Sequence, residues 1–292
     1  MDLPQKPMLI VPPAPTRWPA LADLYQHQRP PWAADLERRI TRGVPGAHDV
    51  YAVLSLAGRF VAGACINKFG EFGVLGHCYT RPECRRQGAA RKLIDGLLSW
   101  FDMTGGKWLY LAATADLADG LFGKFGFSTL HHVPWASAAR VTMLRMRGGS
   151  ENPLAEEAGE ATIRPLSRAE WPTMVALLQY CPGPDPRVSV AESAVIAELF
   201  ALDLIDHQEH SEWQLLGAFR GPRLVGLATV AMDREGARTH AMLIPQTGAP
   251  VELRNAIVEL AHGRGYEQVD FPMEAIVQRE LDTPPPESPP EG

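Results

Sequence analysis

A basic turn with a single glycine contains the residues whose types and spacing are best suited to chemistry. The sequence RRQGAAR, residues 85–91, places three arginines around Gly88. The first turn of a helix has unpaired N–H groups and the positive end of the helix dipole, and glycine lets a phosphate approach the backbone closely. If a helix begins at this glycine, the turn forms a site for one small polyanion. A solvated basic turn in front of an ordinary helix is the alternative.

The elements that would position this turn can be predicted from its flanks. Residues Val74 to Thr80 resemble a short strand, and the following Pro82 stops the strand because proline lacks a backbone donor. After Gly88 the apolar residues recur at helical spacing, at Leu93, Ile94, Leu97, Leu98 and Phe101. The order of strand, basic turn and helix N-terminus favours the anion site over the plain turn.

Residues 80–93, TRPECRRQGAARKL, resemble the acyl-CoA pyrophosphate loop of the GNAT N-acetyltransferase superfamily. The family pattern is Val-x-Pro-x-x-Arg-x-x-Gly-x-Gly/Ala-x-x-Leu, from which only Thr80 departs. Residues 117–127, LADGLFGKFGF, resemble the second signature of the family, a helix that leads into a Gly-Phe pair opening a strand. The resemblance implies an α+β fold with a mostly antiparallel, mixed central sheet flanked by helices. It also implies an enzyme, an acetyl-CoA-dependent N-acyltransferase that moves the acyl group directly to an amine.

The resemblance further implies which residues hold the cofactor, acetyl-CoA or another acyl-CoA. The backbone N–H groups of the turn would bind the pyrophosphate. The preceding strand would separate from its neighbour and receive the pantetheine arm and the thioester carbonyl. Phe122 stands where many family members have a tyrosine that faces the departing sulfur, and phenylalanine cannot donate a proton. The implied cofactor-binding residues are Cys78, Tyr79, Thr80, Arg85, Arg86, Gln87, Gly88, Ala89, Ala90, Arg91 and Phe122.

The catalytic base is less evident than the cofactor site. Glu71, at the entrance of the strand, is the predicted base through a bridging water, with a solvated strand-end glutamate as the alternative. His77 would titrate usefully, but strand alternation directs it toward the core unless a bulge reverses it. Cys78 has no His–Asp pairing near it and is interpreted as buried packing. No metal site is predicted, because the pair His131-His132 has no further ligands at suitable spacing.

The pattern of the first half recurs in the second half. IVPPAPTRWPALADLY near the start resembles IRPLSRAEWPTMVALL. YAVLSLAGRFVAGACI, which is predicted to form a hairpin joined at Gly58-Arg59, resembles LLGAFRGPRLVGLATV. The sequence therefore predicts two tandem GNAT-like domains. The acyl-CoA-binding domain would span 1–147, a polar linker 148–160, a degenerate and truncated copy 161–281, and a disordered proline-rich tail 282–292. The second copy has no arginine before Gly248, so it is not predicted to hold acyl-CoA in the usual way.

Composition restricts the function classes. The sequence is 46% hydrophobic and 21% charged, without a bilayer-spanning apolar run or a signal-peptide pattern, which predicts a cytoplasmic protein with no membrane contact. The net charge of −6 argues against nucleic-acid binding. Four cysteines without CxxC spacing argue against disulfides and structural zinc. The predicted acceptor is an amine of a small molecule or a peptide. The alternative function is a non-catalytic acyl-CoA sensor or interaction protein.

Overall fold

The computed structural model has a mixed α+β fold, as the sequence predicts. Within the residues that it describes, strands form two sheets and helices lie against both of them. The described residues are 3–28, 30–133, 140–148, 159–180, 201–202, 204–206, 208–210, 213–233, 236–243 and 250–271.

The first sheet has the strand order β1-β2-β3-β4-β5-β7-β6. Strands β1 to β4 are antiparallel neighbours, β4 and β5 are parallel, and β7 runs antiparallel to both β5 and β6. The hairpin that the sequence predicts at Gly58 and Arg59 joins β2 to β3. The strands are β1 (Met8–Ile10), β2 (His48–Leu56), β3 (Arg59–Phe69), β4 (Phe72–Thr80), β5 (Trp108–Thr114), β6 (Ser128–Val133) and β7 (Arg140–Met146).

Helices cover both faces of this sheet. The predicted helix after Gly88 is α3 (Ala89–Met103), and its apolar stripe lies buried in one cluster with β2, β3, β4 and β5. Helix α4 (Ala115–Gly120) contributes to the same cluster. The opposite face is covered by α1 (Trp18–Leu24) and α2 (Pro30–Arg42), whose apolar residues pack with Tyr51. Because the apolar stripe of α3 packs on the sheet, the N-terminus of this helix lies at the end of β4.

The second sheet has the order β12-β11-β10-β9-β8. Its strands are antiparallel from β8 to β11, and β12 is parallel to β11, which repeats the directions of β1 to β5. The interpretation of this half as a degenerate copy of the first remains a prediction. Its elements are β8 (Thr162–Pro165), α5 (Trp171–Tyr180), α6 (residues 201–202, 204–206 and 208–210), β9 (Trp213–Arg220), β10 (Arg223–Asp233), β11 (Gly236–Leu243), α7 (Pro250–Gly263) and β12 (Val269–Asp270).

Helix α5 of the second half packs on the first sheet, on the face that α1 and α2 also cover. Met174, Val175 and Leu177 share a buried cluster with Trp32 and Val74 of the first half. A smaller cluster on this face consists of Phe72, Trp108, Tyr110, Leu144 and Ala176. Because these apolar side chains come from both halves, the two sheets share one buried interface.

A buried ion-pair network also joins α2 to the second half. Arg168 donates to Asp35 at 2.7 Å and to Glu209 at 3.0 Å. Asp35 accepts a second hydrogen bond from Arg39 at 2.6 Å, and Arg39 pairs with Asp49 at 3.0 Å. Burial by itself would raise the pKa of Asp35, but the two guanidinium groups outweigh it and hold this pKa below its ordinary value.

Several predictions concern residues outside those described. Most of the predicted linker (149–158) and all of the predicted tail (282–292) fall there, as does Gly248 in the second half. The domain boundaries therefore remain predictions. In the described part of the chain, no helix combines the length and the apolar character that crossing a membrane requires.

Candidate functional site

Strands β4 and β5 pair at one end and separate at the other. Their parallel pairing covers only Phe72 to Val74 opposite Trp108 to Tyr110. Beyond that point residues 75–80 of β4 have no partner in β5, whereas β5 stays paired with β7 to its last residue, Thr114. The unpaired backbone of two neighbouring strands leaves an opening that a ligand can line with hydrogen bonds. This opening agrees with the separation of strands that the family resemblance implies.

A β-bulge in β4 lies at the opening. Gly63 of β3 is opposite Tyr79, but Cys65 is opposite Gly76, so β4 has an extra residue between these pairs. His77 in this bulge has a φ of +51°, in the left-handed region. A bulge re-aims the side chains that follow it. It reverses the direction expected for His77 from strand alternation, because the ring faces the α1–α2 side rather than the α3 side of the sheet.

The turn after β4 has the backbone of an anion site. Gly88 is the N-cap of α3 with a φ of +75°, and no side chain caps this helix end. The first helical hydrogen bond of α3 runs from Lys92 N–H to the Gly88 carbonyl. Among the described residues, no backbone carbonyl accepts from the N–H groups of residues 86–91. A Cβ built on Gly88 would meet nothing within 4 Å, so the space beside these donors is open.

The arginines around the turn have different roles. Arg81 is buried, and it donates to the Phe60 carbonyl and to Asp23 of α1, so it fixes the end of β4. Arg85, Arg86 and Arg91 are exposed around Gly88, and the Nε of Arg85 donates to the Thr80 carbonyl at 3.1 Å. These three cations can therefore add positive charge to the open backbone site.

Gln87 and the alanines complete the turn. The Gln87 side chain is exposed and donates to the Glu83 carbonyl at 3.3 Å. Ala89 is buried in the α3 cluster, whereas Ala90 is half-buried. Small side chains at both positions leave the backbone of the first helical turn accessible. The structure thus brings together the predicted cofactor-binding residues of the turn and the end of β4.

Glu71 and Phe122 complete the predicted site residues. Glu71 is in the turn before β4, at the paired end of the strand, and its carboxylate contacts Lys107 Nζ at 2.7 Å. Phe122 is buried with its ring 6.0 Å edge-on from that of Phe127, in the core cluster that contains Ala118. The roles of Glu71 as a base and of Phe122 in cofactor binding remain predictions.

The segment between α1 and α2, together with the start of α2, adds residues that the sequence reasoning missed. The His27 ring stacks on the Tyr79 ring with centroids 4.0 Å apart. Tyr25 is buried between β3 and the bulge, with its ring 5.7 Å from that of His77, and Trp32 contacts the other side of His77 at 5.6 Å. The Tyr25 hydroxyl has no hydrogen-bond partner among the described residues. In the sequence, the one signal for these residues is the run Tyr-Gln-His-Gln, residues 25–28, which lies between α1 and α2.

Desolvation keeps His77 and the aromatic groups that surround it neutral. Burial lowers the pKa of His77 to about 4. Desolvation also lowers the pKa of His27, although a hydrogen bond with the Leu24 backbone acts in the opposite direction. Burial raises the pKa of Tyr25 well above its ordinary value. At neutral pH both imidazoles are therefore uncharged, and Tyr25 carries its proton.

Comparison with known proteins gives one match to a family model and several similar solved structures. Residues 18–127 match the sequence model of the Acetyltransferase (GNAT) family. No curated protein matches the chain in sequence. Similar solved structures include the ribosomal-protein-S18-alanine N-acetyltransferase from Escherichia coli, with 18% identity over 50% of this chain and 99% of that chain and a TM-score of 0.40. A second is an acyl-CoA N-acyltransferase from Pseudomonas aeruginosa, with 17% identity over 48% of this chain and 99% of that chain and a TM-score of 0.39. A third is an aminoglycoside 6′-N-acetyltransferase complexed with coenzyme A, with 14% identity over 48% of this chain and 96% of that chain and a TM-score of 0.38.

Proposed function

We propose that the chain is an acetyl-CoA-dependent N-acyltransferase, because its residues 18–127 match the sequence model of the acetyltransferase (GNAT) family. The acceptor would be an amine of a small molecule or a peptide, acylated by direct transfer in the cytoplasm. One observation supports the proposal above the others: the open backbone donors at Gly88 adjoin the opening between β4 and β5. That arrangement fits a ligand with a phosphate group at one end and a reactive group at the other.

The residues of the opening fit an acyl-CoA. The N–H groups of residues 87–91 would bind the pyrophosphate, with Arg85 and Arg86 adding charge. The backbone of Cys78 to Thr80 would bind the pantetheine arm and polarise the carbonyl. The acyl-CoA supplies an activated thioester.

The leaving group determines whether this site needs a general acid. Phe122 cannot protonate a departing thiolate. A thiol has a pKa of about 8.5, so its thiolate leaves without a dedicated acid, at a lower rate than with one. Glu71 remains the sequence-predicted base, acting through water, although it is ion-paired with Lys107. Transfer by this domain would therefore rely mainly on positioning and on backbone polarisation.

A non-catalytic acyl-CoA binder is the second candidate. Phe122 favours it, because the acid of the second signature is absent from that position. The ion pair between Glu71 and Lys107 favours it as well, because a paired carboxylate at the closed end of β4 is remote from the opening. Such a protein would bind acyl-CoA as a sensor or as an interaction partner, without releasing CoA.

Calorimetry with acetyl-CoA tests the shared premise of both candidates. We expect one site per chain in the unmodified protein and a large loss of affinity in Arg85→Ala and Gly88→Pro. Arg42→Ala removes an exposed arginine at the end of α2 and is the matched control with unchanged affinity. Absence of binding to the unmodified protein would contradict the proposal. Release of free thiol from acetyl-CoA in the presence of amines then separates the enzyme from the binder.

A further inference from the structure

The segment between α1 and α2 places an imidazole beside the opened part of β4. His27 is exposed and stacks on Tyr79, which follows the bulge directly. Tyr79 and Cys78 lie in the stretch of β4 that has left its pairing with β5. His27 therefore lies on the α1–α2 face of the opening, within the first domain and away from the turn at Gly88.

The His27 ring is oriented by its contact with β4. Its face lies on the Tyr79 ring at 4.0 Å between centroids, with an angle of 32° between the planes. A neutral imidazole donates from one nitrogen and accepts at the other, so one ring nitrogen of His27 can take up a proton. Among the described residues, no salt bridge involves His27.

We propose that His27 is the catalytic base that takes a proton from the acceptor amine. This proposal rests on the proposed acyltransferase function. It identifies a residue that neither the sequence motifs nor the family match assigns.

The step conserves atoms and charge. The free nitrogen of His27 accepts one proton from the ammonium group of the acceptor, which leaves a neutral amine and an imidazolium. The amine lone pair forms the C–N bond with the thioester carbonyl carbon while the C–S bond breaks, and its electron pair leaves with sulfur. The second proton lost by the nitrogen goes to the thiolate, so that the products are an amide and a free thiol. His27 returns its proton to solvent.

The other titratable groups near the opening are less suited to this role. The His77 ring contacts the rings of Tyr25 and Trp32, and burial lowers its pKa to about 4, so it is a weak base. Glu71 lies at the closed end of β4 in an ion pair. The groups that face His27 are Tyr79 and His77 from β4 and Tyr25 from its own segment. Burial raises the pKa of Tyr25 and lowers that of His77 to about 4, so these two groups are uncharged at neutral pH. The neutral surroundings favour the unprotonated ring that a base requires.

The test compares two acceptors of different basicity. n-Butylamine is an ammonium ion at neutral pH and needs a base, whereas hydroxylamine is already uncharged. We expect His27→Gln to lower kcat/KM for n-butylamine by about 100-fold or more and to leave hydroxylamine within a few-fold. His262→Gln, in an exposed histidine at the end of α7, is the matched control with unchanged values for both. The inflection that His27 gives to the pH profile of kcat/KM for n-butylamine should be absent in His27→Gln, whose rate should follow the fraction of neutral amine across the whole range.

Two measurements without turnover accompany the assay. Acetyl-CoA should bind His27→Gln with unchanged affinity by calorimetry. In NMR spectra of the unmodified protein, the His27 ring should titrate below its ordinary pKa and its signals should shift when acetyl-CoA is added, whereas those of His262 should not. A ring that titrates above its ordinary pKa would overturn the proposal.

The remaining outcomes are equally decisive. Equal losses with both acceptors, or no loss with either, would overturn the role of His27 while the enzyme function stands. Binding of acetyl-CoA without transfer to either acceptor by the unmodified protein would overturn this proposal and favour the non-catalytic binder. Absence of acetyl-CoA binding would overturn the proposed function itself.

Discussion

Replacement of Arg168 by methionine tests whether the second half holds α2 in place. The Arg168 side chain is 5% exposed and contacts Asp35 of α2 together with Asp206 and Glu209 of α6. Methionine keeps much of the apolar stem and removes the charge. Asp35 would then be a buried carboxylate with one cationic partner instead of two, so the folded state should lose free energy relative to the unfolded state.

The contacts that remain limit the size of this loss. Removing one partner of a buried ion pair destabilises a protein by about 3–5 kcal/mol. Here Asp35 keeps Arg39 at 2.6 Å, and Glu209 keeps its ion pair with Arg38. We therefore expect the free energy of unfolding to fall by about 2–3 kcal/mol, at or just below the lower end of that range. For a chain of this size the loss corresponds to a decrease in Tm of roughly 3–5 °C.

Urea unfolding followed by tryptophan fluorescence measures the effect, because Trp32 of α2 and Trp171 of α5 lie 6.4 Å apart at the interface. The matched control is Arg59→Met. Arg59 pairs with Asp23 on the surface, where the two side chains are 55% and 43% exposed, so its loss should change the stability much less than Arg168→Met does. A loss for Arg168→Met no larger than that of the control would refute the reasoning.

Local patterns are sufficient to predict the helix that follows the basic turn. The helical spacing from Leu93 to Phe101 is confirmed by α3, which begins directly after Gly88, and Gly88 itself has a positive φ. Both features depend on neighbours in the sequence, because an amphipathic stripe and a left-handed glycine are set within a few residues. The hairpin at Gly58 is confirmed for the same reason.

Features that depend on contacts between distant parts of the chain could not be predicted from the sequence. The bulge at His77 arises from the register between β3 and β4, and no residue in β4 signals it. The stacking of His27 on Tyr79 brings together residues from two elements that are far apart in the chain. The ion pairs of Arg168 depend on how α5 docks on the first sheet. A repeat predicts the directions of strands within each half but not the contact between the halves.

Three further predictions follow from close contacts and charge. Gly88→Ala should lower the free energy of unfolding by roughly 1–2 kcal/mol, because the φ of +75° at this position is left-handed. It should also weaken acetyl-CoA binding measured by calorimetry, whereas Gly120→Ala should leave that binding unchanged. Gly63→Ala should destabilise the fold by about 1–3 kcal/mol in urea, since the new Cβ would lie 2.5 Å from the Tyr25 hydroxyl. The pKa of Asp35 is lowered in the folded state, so its stabilisation is complete above the unfolded pKa of about 4 and is lost as the pH falls through the folded pKa. Unfolding free energies measured between about pH 7 and pH 3 should therefore fall more steeply in the unmodified protein than in Asp35→Asn. Equal slopes would show that Asp35 is not held ionised by its arginine partners.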